Sequence, residues 1–281
     1  MNERIEIKGL TKMFQQHPAL DDISLNLEEN HIYGLLGRNG AGKTTLLNMV
    51  TNRLFPTSGR VLIDGEDAAE NDRAQSKVYY MGEKNYLPET TTVKQLFEWT
   101  GDFYPGFDRD YALELAKKFD LNVKKKLKNL STGYLTIAKL ITALATDVPY
   151  LLFDEPVLGL DANHRELFYR ELLENYAKKP RVIVISTHLI EEVADIIDQV
   201  IIKQGKIILD KPAEEVRRMG YSVSGKAAEV DSYCQGKDVL SVESLGGLKT
   251  AALLGTPVEV PAGMEVTVLD MQKLFVRLTN V

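Results

Sequence analysis

The sequence contains a single cysteine and no long apolar run. Cys234 stands alone among 281 residues, which excludes a disulfide within the chain and a cysteine-rich zinc site. The longest apolar stretches, such as 150–153 and 182–185, are far shorter than the roughly 20 residues that span a bilayer. The amino terminus lacks the apolar core of a signal peptide. We therefore expect a protein of the reducing cytoplasm that reaches a membrane only through a partner.

Positive charge is also scarce. Lys and Arg number 34 against 40 Asp and Glu, a net charge of −6. A mildly acidic chain is poorly suited to binding nucleic acid or anionic lipid through its overall charge, so we predict no nucleic-acid partner. Hydrophobic residues make up 44% and charged residues 26%, which are globular values that exclude disordered and fibrous classes.

The spacing of apolar residues changes along the chain. Residues 4–36 alternate mainly as strands, whereas about 84–145 has helical spacing. Strands and helices then alternate, with a last helix at 190–197 and a turn at Gln204-Gly205 between two β-like runs. Such alternation predicts an α/β fold with a parallel sheet and helices on its faces.

The segment from about Met219 differs from the rest of the chain in composition and in its pattern of apolar residues. It begins rich in Gly and Ser and then mixes short β-like runs with a closing helix: 239–242, 258–260, 266–269 and 271–278. We predict a domain at 1–218, with a helical subdomain at about 84–145, followed by a small α+β domain at 219–281.

A glycine-rich loop follows the apolar run 32–36. It fits the pattern G-x-x-x-x-G-K-[ST] without a departure: Gly37, Arg38, Asn39, Gly40, Ala41, Gly42, Lys43 and Thr44. Glycines let consecutive N–H groups point at phosphate oxygens, in front of a positive helix N-terminus. We expect Lys43 to reach the β- and γ-phosphates and Thr44 to ligate Mg²⁺, and we include Thr45 among the nucleotide-binding residues. The strand before and the helix after this phosphate loop (37–44) favour a nucleoside triphosphate site over an incidental turn.

Two carboxylates follow the apolar run 150–153. Asp154 is expected to hold Mg²⁺ directly or through water, and Glu155 to polarise the attacking water. A polar turn is the alternative, which the phosphate loop makes less favourable. His188 follows another apolar run, 182–186, at the same predicted sheet edge. A histidine there is often structural, but its neutral ring also suits a contact with the γ-phosphate.

Further motifs resemble those of ABC-type ATPases. The segment 130–134, Leu-Ser-Thr-Gly-Tyr, resembles their signature loop, and 159–162, Gly-Leu-Asp-Ala, resembles their D-loop. His188 is similar to their switch histidine, and Phe14 holds the place of the aromatic that stacks on adenine. The resemblance covers about residues 4–215. It implies a P-loop NTPase parallel sheet core with an antiparallel β subdomain and an inserted α-helical subdomain.

The family resemblance also implies partners. Two such domains face each other head to tail, and each ATP lies between one phosphate loop and the opposite signature segment. Ser131, Gly133 and Asp161 would then serve nucleotide across a dimer of identical or related chains. Residues 103–108, 121–123 and the following lysines resemble ATP-binding subunits of bacterial ABC-2-type exporters of antimicrobial peptides, drugs or toxins. That likeness implies an integral membrane subunit as partner and a position at the inner face of the cell membrane.

The sequence departs from the family pattern at two places. Glu83 stands where the family usually has a glutamine that ligates Mg²⁺ and senses the membrane partner. A glutamate keeps an oxygen ligand but adds negative charge near triphosphate, which weakens binding without Mg²⁺ or demands a compensating cation. Thr132 and Tyr134 replace the commoner Gly and Gln of the signature loop, whereas Ser131 and Gly133 are retained.

These observations favour an ATP-hydrolysing motor that drives a membrane subunit. Three alternatives remain open at the level of sequence: a non-transport ABC ATPase, a small-molecule kinase with the same loop, and a regulatory protein that binds ATP but barely hydrolyses it. The transported substrate and the role of 219–281 are not encoded in any motif, although regulation or dimer stabilisation fits the position of that segment.

Overall fold

The computed structural model describes residues 4–84, 87–203 and 205–279. Its strands, in chain order, are β1 (Arg4–Phe14), β2 (His17–Glu28), β3 (Ile32–Leu36), β4 (Ser58–Ile63), β5 (Glu66–Asp67), β6 (Val78–Met81), β7 (Tyr150–Asp154), β8 (Val182–Thr187), β9 (Gln199–Lys203), β10 (Ile207–Pro212), β11 (Gly220–Lys226), β12 (Val239–Leu245), β13 (Leu248–Leu254) and β14 (Glu265–Val268). Its helices are α1 (Lys43–Val50), α2 (Asp72–Gln75), α3 (Val93–Phe103), α4 (Arg109–Lys118), α5 (Thr132–Ala145), α6 (Ala162–Lys178), α7 (Ile190–Val193), α8 (Ala213–Arg217), α9 (Ala227–Cys234) and α10 (Met271–Thr279).

A six-stranded sheet forms the centre, in the order β10-β9-β3-β8-β7-β6. Strands β9, β3, β8, β7 and β6 run parallel, and β10 pairs antiparallel with β9. Every residue of β3, β7 and β8 is buried, as expected for strands covered on both faces. The α/β class predicted from the sequence is confirmed. Because parallel strands end at one edge, the segments after β3, β7 and β8 meet there.

A second, antiparallel sheet has the order β2-β1-β4-β5. Alternate residues of β1 and β2, such as Ile5, Ile7 and Ile23, point into a core shared with Leu46 and Leu47 of α1. Because the apolar residues alternate along each strand, they all lie on one face of this sheet. That face is buried against α1, the helix that follows the phosphate loop.

The region between β6 and β7 is helical, as predicted. Each of its long helices begins at a side chain that accepts a backbone N–H: Thr92 for α3, Asp108 for α4 and Ser131 for α5. The buried faces of these helices meet around Phe97 and Phe107, whose ring centroids lie 6.1 Å apart.

Residues after Met219 build a third sheet, in the order β12-β13-β11-β14. Helix α9 covers one face, where Val230 packs with Val223 and Tyr221. Helix α10 instead belongs to the main core, because Leu274 and Phe275 are buried in the same cluster as Ile190 of α7. The predicted closing helix is therefore packed beside the segment that follows His188.

Some sequence predictions need correction. The helix predicted at 190–197 ends at Val193, because Ile197 packs against Gly34 of β3 and Asp198 pairs with the Ile32 backbone. The run 258–260 is not a strand: prolines flank it, and the Val258 carbonyl accepts a hydrogen bond from Tyr233 rather than from a neighbouring strand. Gln204 of the predicted turn lies outside the described residues.

The sequence analysis missed the strands β6, β11 and β13 and the helices α2, α8 and α9. Two further strands of the third sheet, β12 and β14, overlap the predicted runs 239–242 and 266–269. Within the described ranges, no helix has both the length and the apolar character required to cross a bilayer.

Candidate active site

The predicted site residues of the phosphate loop, the acid pair and His188 gather at the carboxyl edge of the central sheet. The phosphate loop follows β3, Asp154 ends β7, and His188 follows β8. These three strands are direct neighbours, since β8 pairs with both β3 and β7. Their order along the sheet, not their spacing in sequence, brings these groups together.

The phosphate loop needs glycine at two of its positions. Gly40 has φ +83° and Gly42, which caps α1, has φ +86°, a left-handed region that other residues enter at a cost. The loop leads directly into α1, whose first residue is Lys43. The Lys43 side chain is only 6% exposed, and its ammonium donates to the Gly37 carbonyl over 2.7 Å. The lysine is thus folded back over the loop that would hold the phosphates.

Asp154 is a buried carboxylate surrounded by hydroxyl donors. Thr44 Oγ1 donates to its Oδ2 atom over 2.6 Å, and Tyr80 donates to the same oxygen over 3.1 Å. Ser186 Oγ donates to the Oδ1 atom over 2.8 Å. Mg²⁺ prefers hard oxygen ligands, and the adjacent Thr44 and Asp154 oxygens supply two of them. Thr44 and Asp154, two of the three predicted metal ligands, therefore fit that ion.

Glu155 lies between the lysine and the histidine. Its Oε1 atom is 3.4 Å from Lys43 Nζ, and both its carboxylate oxygens are 3.0 Å from His188 Nδ1. Thr187 Oγ1 adds a hydrogen bond to Oε2 over 3.2 Å. With Nδ1 protonated, the His188 ring donates to Glu155 and keeps Nε2 for another partner.

The backbone directs the Glu155 side chain. Glu155 has φ +50°, an unusual conformation for a residue other than glycine, and its N–H donates to the Ser186 carbonyl over 2.8 Å. Strained backbone conformations of this kind are common at active sites and ligand-binding sites.

Phe14 ends β1 and lies beside α1, the helix that follows the phosphate loop. Its ring is 50% exposed and lines a cavity of about 710 Å³ together with Thr45, Asn48, Arg53 and Leu54. The Lys12 ammonium lies 5.5 Å from the ring centroid. A flat, half-exposed ring beside α1 suits stacking by a nucleotide base.

Ser131, Gly133 and Asp161 lie on a different part of the chain's surface. Ser131 is exposed and caps α5, where it accepts the Tyr134 N–H over 3.3 Å. A Cβ added at Gly133 would lie 3.0 Å from the Gly159 carbonyl, so the signature segment packs closely on the D-loop. The recorded hydrogen bonds of Ser131, in the part of the chain that is described, stay within its own helix.

Asp161 caps the next helix. It accepts the His164 N–H over 3.0 Å and lies 2.7 Å from His164 Nδ1. The backbone N–H of His164, followed by its side chain, lowers the pKa of Asp161. This carboxylate is exposed and charged, at the surface where the family resemblance places a second chain.

Glu83 follows β6 with an exposed side chain, and its backbone carbonyl accepts a hydrogen bond from Lys139 over 2.6 Å. Within residues 4–84, 87–203 and 205–279, no group of three or more His, Cys, Asp or Glu side chains is arranged to hold a metal. The role of Glu83 as a metal ligand therefore stays a prediction.

Sequence reasoning missed the hydroxyls around the acid pair. Tyr80 and Ser186 each lie in a short apolar strand. In such a strand, the sequence does not distinguish a tyrosine or serine of the site from one with a purely structural role. Their signal is positional: both belong to strands that flank β7, close to its carboxyl end. Lys139 was missed too, since a lone lysine in an apolar helix gives no functional signal.

One family and several known proteins resemble this chain. Residues 20–158 match the family described as ABC transporter. The chain is 34% identical to the ABC transporter ATP-binding protein YtrB of Bacillus subtilis over 189 residues, 67% of this chain and 65% of YtrB. It therefore spans slightly less than two thirds of that relative. It is 32% identical to the ABC transporter ATP-binding protein NatA of Bacillus subtilis over 200 residues, 68% of this chain and 80% of NatA.

A solved structure shares the fold. The dimeric structure of a bacterial ABC transporter cassette is similar with a TM-score of 0.67 and 25% identity, over 74% of this chain and 98% of that chain. The family match over residues 20–158 includes the phosphate loop, the signature segment and the acid pair.

Proposed function

This chain belongs to the ATP-binding subunits of ABC transporters, and from that premise we propose that it hydrolyses ATP to drive a separate integral membrane subunit. The observation that carries the proposal is the cluster of Lys43, Glu155 and His188 beside Thr44 and Asp154. Glu155 lies within ion-pairing reach of Lys43 and within hydrogen-bonding reach of His188.

The phosphate loop positions the triphosphate. Its N–H groups and the N-terminus of α1 attract the phosphate oxygens, and Lys43 exchanges the Gly37 carbonyl for the β- and γ-phosphates. Phe14 stacks on the base from the open side of the site. Thr44 and Asp154 would hold Mg²⁺, which when bound neutralises charge on the phosphates.

Glu155 acts on the attacking water. Its carboxylate accepts a hydrogen bond from water and orients it in line with the γ-phosphate, so that no covalent enzyme intermediate forms. His188 fixes the Glu155 carboxylate through Nδ1 and offers Nε2 to the γ-phosphate. Polarising a water needs a charged, fixed carboxylate, and the strained backbone of Glu155 supports that geometry.

The proposed working unit is a dimer of this chain or of this chain with a related one. Ser131 and Gly133 are presented at the surface, on a helix that makes its own cap. In the dimer, they would contact the γ-phosphate held by the opposite phosphate loop, with Asp161 beside them. ATP would then join the two chains, and hydrolysis would remove the charge that holds them.

The proposed membrane partner docks beside the helical region. A cavity of about 450 Å³ lies between β6 and helices α3 and α5, and aromatic side chains line it: Tyr79, Tyr80, Phe103 and Tyr104. Phe103 is 82% exposed. Exposure of an apolar ring to water is unfavourable, and exposed apolar patches are typical of interaction sites. A helix of a membrane subunit would cover it, which places the chain at the inner face of the cell membrane.

Export is the proposed direction of transport. It rests on the resemblance of residues 103–108 and 121–123 to subunits of ABC-2-type exporters. We further propose that 219–281 is a small C-terminal domain that regulates or stabilises the dimer, because its helix α10 packs on α7, which follows His188 in the chain.

The decisive variant is Glu155→Gln, which keeps the shape of the side chain and removes its charge. We expect ATP hydrolysis to fall by about 10² to 10⁴-fold, while binding of Mg-ATP persists and ATP-bound dimers accumulate in size-exclusion chromatography. Glu166→Gln, an exposed position of α6, serves as the control and should hydrolyse ATP like the parent.

Two outcomes would contradict the proposal. Near-parental hydrolysis by the Glu155→Gln variant would remove Glu155 from catalysis. Copurification of the parent with ribosomes or DNA, and not with a membrane protein, would favour a non-transport ATPase.

A further inference from the structure

Lys139 connects the signature helix to the segment that carries Glu83. It lies on α5, two turns after Ser131, and its ammonium donates to the Glu83 carbonyl over 2.6 Å and to the Gly82 carbonyl over 3.2 Å. The side chain is half-buried on an otherwise apolar helix, where Ile137, Ala138 and Leu140 are buried. A cation placed there needs a local reason, because its desolvation is costly.

The Glu83 carboxylate is close enough to act on the charge of Lys139. Burial lowers the pKa of Lys139, and the nearby Glu83 carboxylate opposes that shift. The Lys139 ammonium contacts residue 83 through its backbone carbonyl and acts on the Glu83 carboxylate through their charges. The neighbouring Lys84 is exposed.

We propose that Lys139 is a positioning residue of the nucleotide site, which ties the 82–83 backbone to the signature helix and offsets the charge of Glu83. This inference rests on the proposed function, since it assumes that residue 83 faces the triphosphate. Glutamate at position 83 brings an extra negative charge toward the phosphates, and Lys139 holds a compensating cation against the same segment.

The hydrogen bonds of Lys139 also connect the segment beside the chain's own nucleotide with the helix that serves the nucleotide of the opposite chain. Ser131 begins α5 and serves the nucleotide of the opposite chain, whereas Glu83 lies beside the nucleotide of its own chain. Because an α-helix of this length is stiff, a displacement of the 82–83 backbone reaches Ser131 through Lys139. The same lysine therefore links the two nucleotide sites of a dimer.

The test measures affinity for a fluorescent ATP analogue in a Glu155→Gln background, with excess EDTA and again with saturating Mg²⁺. Five further variants are compared: K139M, K139R, E83Q, the E83Q/K139M double variant and K84M. We expect K139M to weaken Mg-free binding by about 3- to 10-fold, because the Glu83 charge is then unopposed. K139R, which keeps both charge and donors, should stay within about twofold of its background.

The double variant isolates the charge effect. With glutamine at position 83, replacing Lys139 should change Mg-free affinity by less than about twofold, and Mg²⁺ should shrink the K139M defect. K84M removes the same charge from an exposed neighbour and should have little effect. Thermal melting of every variant shows that the folded state is retained; should K139M fail to fold, K139Q takes its place in the same cycle.

Three results would overturn the inference. An equal loss from K139M with and without the E83Q substitution would mean that Lys139 acts by packing alone. An equal loss from K84M would mean that general charge, not this lysine, sets affinity. No loss from K139M would remove its role altogether. Failure of the proposed function is distinguished by the parent, which would then neither bind nor hydrolyse Mg-ATP.

Discussion

The Nδ1 atom of His188 lies 3.0 Å from both carboxylate oxygens of Glu155, so the ring faces the middle of the carboxylate. Thr187 and Lys43 approach the same carboxylate, by hydrogen bond and by ion pair. Glu155 is therefore held from several sides, and the proposed contact of His188 with the γ-phosphate would use its second ring nitrogen. Under that proposal, one ring nitrogen fixes Glu155 and the other contacts phosphate.

Replacing His188 tests this division. We expect His188→Ala to reduce ATP turnover by about 10²-fold, because the carboxylate loses its orienting donor and the γ-phosphate loses a contact. Binding of Mg-ATP should weaken only several-fold, since the phosphate loop is intact. Turnover and nucleotide affinity, measured separately, distinguish the two effects.

His31→Ala is a suitable control. His31 lies before β3, at the opposite edge of the sheet, and its Nδ1 is 3.2 Å from Asp198. Turnover should stay near that of the parent. If both histidine variants lost turnover equally, the assignment of His188 to the site would be wrong.

Tyr80 is predicted to tune the metal site through Asp154. Its hydroxyl donates to the same carboxylate oxygen as Thr44, and partners of metal-ligating carboxylates affect affinity for the ion. We expect Tyr80→Phe to raise the Mg²⁺ concentration for half-maximal ATP hydrolysis about tenfold. Tyr176→Phe, which removes a hydroxyl bonded to the Asn30 carbonyl, should leave the Mg²⁺ dependence unchanged. An unaltered Mg²⁺ requirement in Tyr80→Phe would show that the hydroxyl merely fills space.

The sequence predicted the parts of the site whose chemistry restricts residue type. Left-handed backbone at Gly40 and Gly42 favours glycine, and the ends of two apolar strands mark Asp154 and His188. Such local constraints determine which residue types occur at these positions, so they can be recognised in the sequence. The parallel sheet then places them at one edge without further information.

The partners of those groups could not be predicted in the same way. Tyr80, Ser186 and Lys139 reach the site from other strands or from the signature helix, and their contacts depend on how separate elements pack. The shortened helix at 190–193 has the same origin, because the turn after it follows from Ile197 packing on Gly34. The periodicity of apolar residues indicates the structure of one element at a time, and it gives no information on contacts between elements.

Tyr33 gives a prediction about stability at high pH. It is 3% exposed, and burial, the largest cause, raises the pKa of its phenol to about 12. In the unfolded chain the phenol loses its proton near pH 10. Between about pH 10 and 12, the unfolded state therefore binds fewer protons than the folded state, and stability falls as pH rises.

Tyr33→Phe should flatten that fall. The free energy of unfolding of the parent, from urea titrations between pH 9 and 11.5, should decline more steeply than that of the variant, by up to about 1.4 kcal/mol per pH unit. Below pH 9 the two slopes should coincide, although the variant loses the hydrogen bond from the Glu28 N–H. Parallel slopes above pH 10 would mean that Tyr33 ionises as readily in the folded chain as in the unfolded one.

Ser131 distinguishes a dimeric motor from a self-sufficient ATPase. As the cap of α5 it stabilises its own chain, and loss of a cap costs about 1 kcal/mol. Asp108 caps α4 in the same way, by accepting the Tyr111 N–H over 2.9 Å, but lies in no predicted nucleotide contact. Ser131→Ala and Asp108→Ala should therefore lower the free energy of unfolding by similar amounts.

Only the serine variant should lose activity. If Ser131 contacts the γ-phosphate held by another chain, Ser131→Ala should reduce turnover at least about tenfold, whereas Asp108→Ala should keep the parental rate. Turnover per molecule of the parent should also rise with protein concentration until dimers saturate, since each site needs two chains. A parental rate per molecule that is constant across dilution, together with equal activity of the two cap variants, would show that Ser131 is a helix cap and that one chain completes its own site.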